Sequence, residues 1–140
     1  MPAVTHVPSV DASAPVELIY DAKSLVLINR SDEPVDVSSI TFVQSVDDGQ
    51  DLEFSTLRWA GGAVPTSALP SGDCFQVLTT NVVVGDTPPT CNVRHKWDQA
   101  SVTHWFWISD NPDATFEVRR GDEVLAECRI GDGECRVNPG

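Results

Sequence analysis

Basic residues are scarce in this 140-residue chain: nine Lys and Arg stand against 21 Asp and Glu, a formal charge of −12. The sequence pI is near 4.3. A chain so short of cations has little long-range attraction for phosphate backbones or anionic lipid, which argues against a nucleic-acid partner. Long apolar runs are lacking too. None approaches the roughly 20 residues of a membrane-spanning helix, so no membrane insertion by this segment is expected. A Gly-x-Ser-x-Gly elbow, a His-Glu-x-x-His helix, a P-loop and the Rossmann glycine pattern are all missing. His6, His95 and His104 are the only imidazoles, and the expectation is a protein that is not an enzyme and carries no cofactor.

What is present fits one globular domain: the length suits a single core, and 41% of residues are hydrophobic. Residues 1–15, rich in Pro, Ser and Ala, show neither a basic start nor an apolar signal core. They read as an extended linker into a domain over residues 16–140, cut from a larger surface protein. From Val16 onward the apolar runs are short, β-branched or aromatic, and bounded by turn formers; helical spacing is never sustained. Strands are expected at Val16–Tyr20, Ser24–Asn29, Ile40–Ser45, Leu52–Leu57, Cys74–Thr80, Val82–Val84, Cys91–Trp97, His104–Ile108, Thr115–Arg119 and Val124–Ile130. The fold class that follows is all-β: an immunoglobulin-like sandwich of two antiparallel sheets with about 8 to 10 strands. The irregular stretch Arg58–Asp73 fits a binding loop and a crossover between sheets equally well.

Cys74, Cys91, Cys128 and Cys135 are even in number and contain no Cys-x-x-Cys, which favours disulfides and an extracellular or cell-surface location. Four free thiols in a cytosolic or viral protein are the alternative. Opposed across a Gly131-Asp132 turn, Cys128 and Cys135 suit a bridge, and Cys74 to Cys91 would close the preceding hairpin. The rival is a core bridge from Cys91 to Cys128. Closing a loop of about 15 residues stabilises by roughly 3 kcal/mol in the chain-entropy model.

Several side chains offer recognition chemistry. Indole faces stack on sugars or anchor protein interfaces; Trp59, in the long loop, is the expected exposed tryptophan, and Trp105 and Trp107 share one face of their strand. Cys91, Val93, His95 and Trp97 alternate onto another face, which reads as the inner one. The carboxylates of Asp47, Asp48 and Asp51 gather around Gly49, as Ca²⁺ requires, without the EF-hand spacing. A solvated turn that protects an edge strand is the plainer reading. Zinc could be imagined on Cys91, His95 and His104, one ligand short of a structural site. Arg120-Gly121-Asp122 spells an adhesion tripeptide at a hairpin tip, where Gly-Asp is also ordinary turn chemistry. Asn29-Arg30-Ser31 is formally a glycosylation acceptor.

Two segments share a further pattern. Residues Leu25 to Ile40 read as a strand ending in Asn29, a polar Asn-Arg-Ser turn, and Val35-Asp36-Val37-Ser38 before the next strand. Ala68-Leu69-Pro70-Ser71-Gly72 forms a turn before the strand from Cys74. Together, over residues 16–80, they resemble the lamin-tail family of immunoglobulin-like sandwiches, with Ser39-Ile40 where that family has Gly-Trp. The resemblance implies a non-catalytic module appended to secreted or surface proteins and used for interaction or anchoring. The expected function is therefore an extracellular interaction module with a protein or glycan partner. A carbohydrate-binding module using exposed tryptophans is the first alternative, and a structural protein of a virion or filament the second.

Overall fold

The computed structural model describes residues 14–46 and 49–139. Nine strands run in chain order: β1 (Val16–Tyr20), β2 (Ser24–Asn29), β3 (Ile40–Ser45), β4 (Asp51–Ser55), β5 (Cys74–Thr79), β6 (Arg94–Ala100), β7 (Thr115–Arg120), β8 (Glu123–Arg129) and β9 (Glu134–Val137). They form a five-stranded sheet of order β6-β5-β2-β1-β9 and a four-stranded sheet of order β4-β3-β7-β8. The architecture is an all-β sandwich, with short 3₁₀ turns at Thr56–Trp59, Val102–His104 and Ile130–Asp132.

Alternating side chains build the core. Leu18, Leu25, Leu27, Phe75 and Val77 of the larger sheet meet Ile40, Phe42, Phe54, Phe116 and Val118 of the smaller. An aromatic seam runs through the middle. Phe75 stacks on Trp59, and Trp59 leans on Phe54. Phe42 stacks on Phe106 at 4.7 Å, and Phe106 meets Phe116 edge-on, which reaches Tyr20. Each such ring removed from water contributes about 1.5–3 kcal/mol, with a further ~0.5–1.5 kcal/mol from well-placed ring pairs.

Besides β9, a strand where none is expected, and β6, which runs over Arg94–Ala100 instead of Cys91–Trp97, the sheets depart from the expected pattern in three places. First, β5 and β6 pair in parallel, so Cys74 and Cys91 do not close a hairpin. A parallel pair needs a crossover, and residues 80–93 supply it. Cys91 packs with Cys74, Val26 and Ile28 in a second apolar cluster outside the main core. That explains why β2 is apolar on both faces, and it separates Cys91 from Cys128, which lies in the main core. Second, β8 and β9 belong to different sheets, so the Cys128–Cys135 disulfide ties the two sheets together instead of stapling a hairpin. Third, neither Val82–Val84 nor His104–Ile108 is a strand. Around Phe106 the buried Gln44 side chain replaces a ladder, its Nε2 donating to the carbonyls of Phe106 and Ile108 at 2.9 Å.

The Arg58–Asp73 stretch crosses from the smaller sheet to the larger, and a Val35–Leu69 bridge ties it to the chain after β2. Asn29 organises this junction from full burial. Its Nδ2 donates to Glu33 and Leu69 carbonyls, while its Oδ1 accepts from the backbone N–H and hydroxyl of Ser31. The amide that a glycan would modify is thus already committed. Ser39, before β3, has φ 60°, the only positive φ among the described non-glycine residues. The expected linker over residues 1–15 has its first 13 residues outside the described ones, but Ala14 and Pro15 already belong to the domain. Ala14 is buried and accepts from Arg136, and Pro15 accepts from the Arg30 N–H.

Two substitutions test this junction by urea denaturation. Asn29→Ala strands buried carbonyls and should cost about 2–4 kcal/mol. Ser39→Gly should stabilise by about 0.5–1 kcal/mol, because relief of ~1–2 kcal/mol of left-handed strain exceeds glycine's extra chain entropy.

Candidate functional site

At one end of the sandwich, three segments distant in sequence enclose a cleft of about 270 Å³. They are the β1–β2 turn, the stretch from Trp107 to Pro112, and the Ile130–Gly131 turn. Tyr20 and Trp107 form its buried floor. Tyr20 donates its hydroxyl to the Arg129 carbonyl at 2.6 Å, and Trp107 Nε1 donates to the Asp21 carbonyl at 2.9 Å. The Asp21 carboxylate accepts from the Lys23 and Ser24 N–H groups, fixing the turn.

The far rim is equally constrained. Ile130 and Gly131 donate their N–H groups to the Ala114 and Pro112 carbonyls at 2.9 and 3.0 Å. A Cβ at Gly131 would lie 2.6 Å from the Pro112 oxygen, so only glycine permits this approach. Arg129 bridges Asp113 and Asp132, and the Cys128–Cys135 disulfide brackets the turn. The walls mix apolar Ala22, Ile108, Pro112 and Ile130 with the acidic residues Asp21 and Asp110. Such a cleft complements a cation on an apolar stem, the chemistry of lysine and arginine side chains.

The structure redistributes the tryptophans. Trp59, expected to be exposed, has 0% exposure, stacks on Phe75 and donates its indole N–H to the Gln76 carbonyl at 2.8 Å. The aromatic rings of Phe54 and Phe75, brought up by β4 and β5, decide its position, not the loop context. Trp107 is buried in the cleft floor. Trp105 packs partly buried against the core and donates to the Ala100 carbonyl. Trp97 is the exposed one, at 47%. The expected alternation set Cys91, Val93, His95 and Trp97 on an inner face away from Arg94 and Lys96. But β6 begins only at Arg94, its register shifts between the Cys74 and Phe75 pairings, and Arg94 lies over the exposed Trp97 ring on an edge strand.

Other expected site residues are dispersed. Asp47 and Asp48 lie outside the described residues, and Asp51 is exposed at the start of β4. The bridges are Cys74–Cys91 and Cys128–Cys135. Cys91 is therefore no thiolate ligand; His95 Nε2 meets Asp73, and His104 Nδ1 meets the Glu53 carbonyl. Among the described residues no group of three or more His, Cys, Asp or Glu converges on a metal position. Arg120 of the adhesion tripeptide is turned back, donating to the carbonyls of Asp36, Ser38 and Pro139. The Asp36 carboxyl nearby is held below its ordinary range by the Ser38 hydroxyl first, and by Arg120 more weakly.

The cleft has no signature in the sequence: Asp21-Ala22-Lys23 and Ser109-Asp110-Asn111-Pro112 are separate stretches with nothing local to join them. Compared with protein-family models and with curated proteins, the sequence matches none.

Burial, followed by the charges of Asp132 and Glu134, pushes the Tyr20 phenol well above its ordinary value of 10.0. The raised value makes its contribution fully present below the unfolded pKa of about 10 and lost as pH rises beyond it. Tyr20 is the only tyrosine, so absorbance at 295 nm should show native ionisation delayed relative to the urea-unfolded chain. Tyr20→Phe should flatten the decline in urea midpoint between pH 9 and 11.

Proposed function

We propose that this chain is a non-catalytic interaction module of a secreted or surface-displayed protein, and that its end cleft binds a basic protein partner. The observation that carries the reading is the cleft itself: a concave, apolar site edged by Asp21 and Asp110. Its walls are fixed before binding by backbone hydrogen bonds, a close glycine contact and a disulfide. Preorganisation lowers the entropic cost of association, and an overall charge of −12 favours encounter with a cationic partner.

Two disulfides support an oxidising, extracellular setting. Kinship with lamin-tail domains belongs to the same proposal. It is supported by the structural roles of the shared segments: Asn29 closes the junction after β2, and Ser39 adopts a glycine-like conformation where that family has glycine.

Selection of displayed random peptides on the immobilised chain tests the function. Enriched sequences should carry Lys or Arg beside an apolar residue, and Asp110→Lys should weaken a selected peptide at least tenfold. The proposal fails if basic residues are not enriched, or if both Asp110→Lys and Ile130→Asp leave binding unchanged.

A further inference from the structure

The β6 edge offers a second, chemically opposite surface. Trp97 is 47% exposed and pairs in register with Gln76 of β5. The Arg94 guanidinium lies 4.5 Å from the Trp97 ring centroid. Arg94 is itself held: it donates to the Gln76 side-chain oxygen at 2.8 Å and to the Gly85 and Asp86 carbonyls. The indole is therefore braced on one side by a fixed cation. A concavity of about 260 Å³ opens beside it, lined by His95, Lys96 and Trp97. Lys96 donates to the Ala60 carbonyl at 3.1 Å.

The charges here are arranged unlike those of the rest of the chain. Arg94 and Lys96 rest on uncharged oxygens, whereas Asp73, just before β5, is engaged by His95, and Asp98, on β6 itself, by Arg58. Among the described residues neither cation has a carboxylate partner within ion-pair distance; Arg94 lies over the exposed indole, and Lys96 lies across the sheet edge from it. An indole face accepts the C–H face of a pyranose ring, and adjacent cations accept an acidic substituent on it. Remote carboxylates are screened beyond about 8 Å at physiological salt, so the local cations govern a bound group.

We infer that the Arg94–Lys96–Trp97 surface of β6 is a binding site for an anionic saccharide unit, a sugar ring bearing a carboxylate or sulfate. The ring lies against Trp97 and its acidic group reaches across the open edge of β6 to Lys96, which points to the opposite face, with Arg94 holding the indole in place. Neither the cleft nor its partner enters this assignment, since the two surfaces share no lining residue.

Titration of the intact chain with oligogalacturonate, dextran sulfate and neutral dextran tests it, read by tryptophan fluorescence and calorimetry. At least one anionic polymer should bind ten times or more tighter than neutral dextran, and the two anionic arms separate carboxylate from sulfate recognition. Trp97→Ala should lower that affinity at least tenfold, Lys96→Gln about threefold or more, and Asp110→Lys should leave it unchanged. Far-ultraviolet dichroism and melting confirm that the variants are folded; Trp97→Tyr, which keeps an aromatic face, should retain most binding. Absence of binding to both anionic polymers overturns the inference, as does equal affinity for neutral dextran or unchanged affinity in folded Trp97→Ala.

Discussion

The sandwich depends on its aromatic seam. Phe106 sits at the centre, touching Phe42, Phe54, Trp107 and Phe116, although it belongs to neither sheet. The two sheets are joined through rings at both sides of this hub: Trp59 reaches Phe75, and Phe116 reaches Tyr20. Packing at crystal-like density leaves such rings little freedom, so irregular segments that carry Trp59, Phe106 and Trp107 are held as firmly as strands. The cleft inherits its rigidity from this arrangement, because its floor is the Tyr20 and Trp107 end of the seam.

The sequence made local structure legible and long-range arrangement much less so. Val16–Tyr20, Ser24–Asn29 and Ile40–Ser45 are strands at the expected bounds. The hairpin around Gly121 is where turn chemistry places it. Period-two alternation and glycine turns are properties of a few neighbouring residues, and they can be read from them. Which sheet a strand joins is not such a property. Cys128 and Cys135 look like hairpin partners, yet the short 3₁₀ turn between them sends the chain from one sheet to the other. Alternation likewise shows that Trp97 faces away from Lys96, but not which of those faces is water.

The same limit explains the candidate sites. Trp59 sits in an irregular, glycine-rich neighbourhood, and its burial follows from Phe54 and Phe75, residues 5 and 16 positions away in the numbering. The cleft gathers positions near 20, 110 and 130, whose juxtaposition exists only once β1, β7 and β8 are in place. Opposed electrostatic characters at the cleft and at β6 are also invisible in a net charge, since the sparse cations matter through what they rest upon.

The pairing of β1 with β9 has a mechanical consequence. Val16, the first residue of β1, lies opposite Val137, the last of β9. The chain therefore enters and leaves the sandwich at one point, and tension between the two ends loads the ladder hydrogen bonds one after another, as in a zip, rather than all together in shear. Peeling β9 from its end would yield at Val137 and Arg136 under small forces. At Cys135 the covalent link to Cys128 transfers the load to β8 and so to the second sheet. That bridge acts as a mechanical stop, placed where a tethered domain under strain would otherwise begin to unravel.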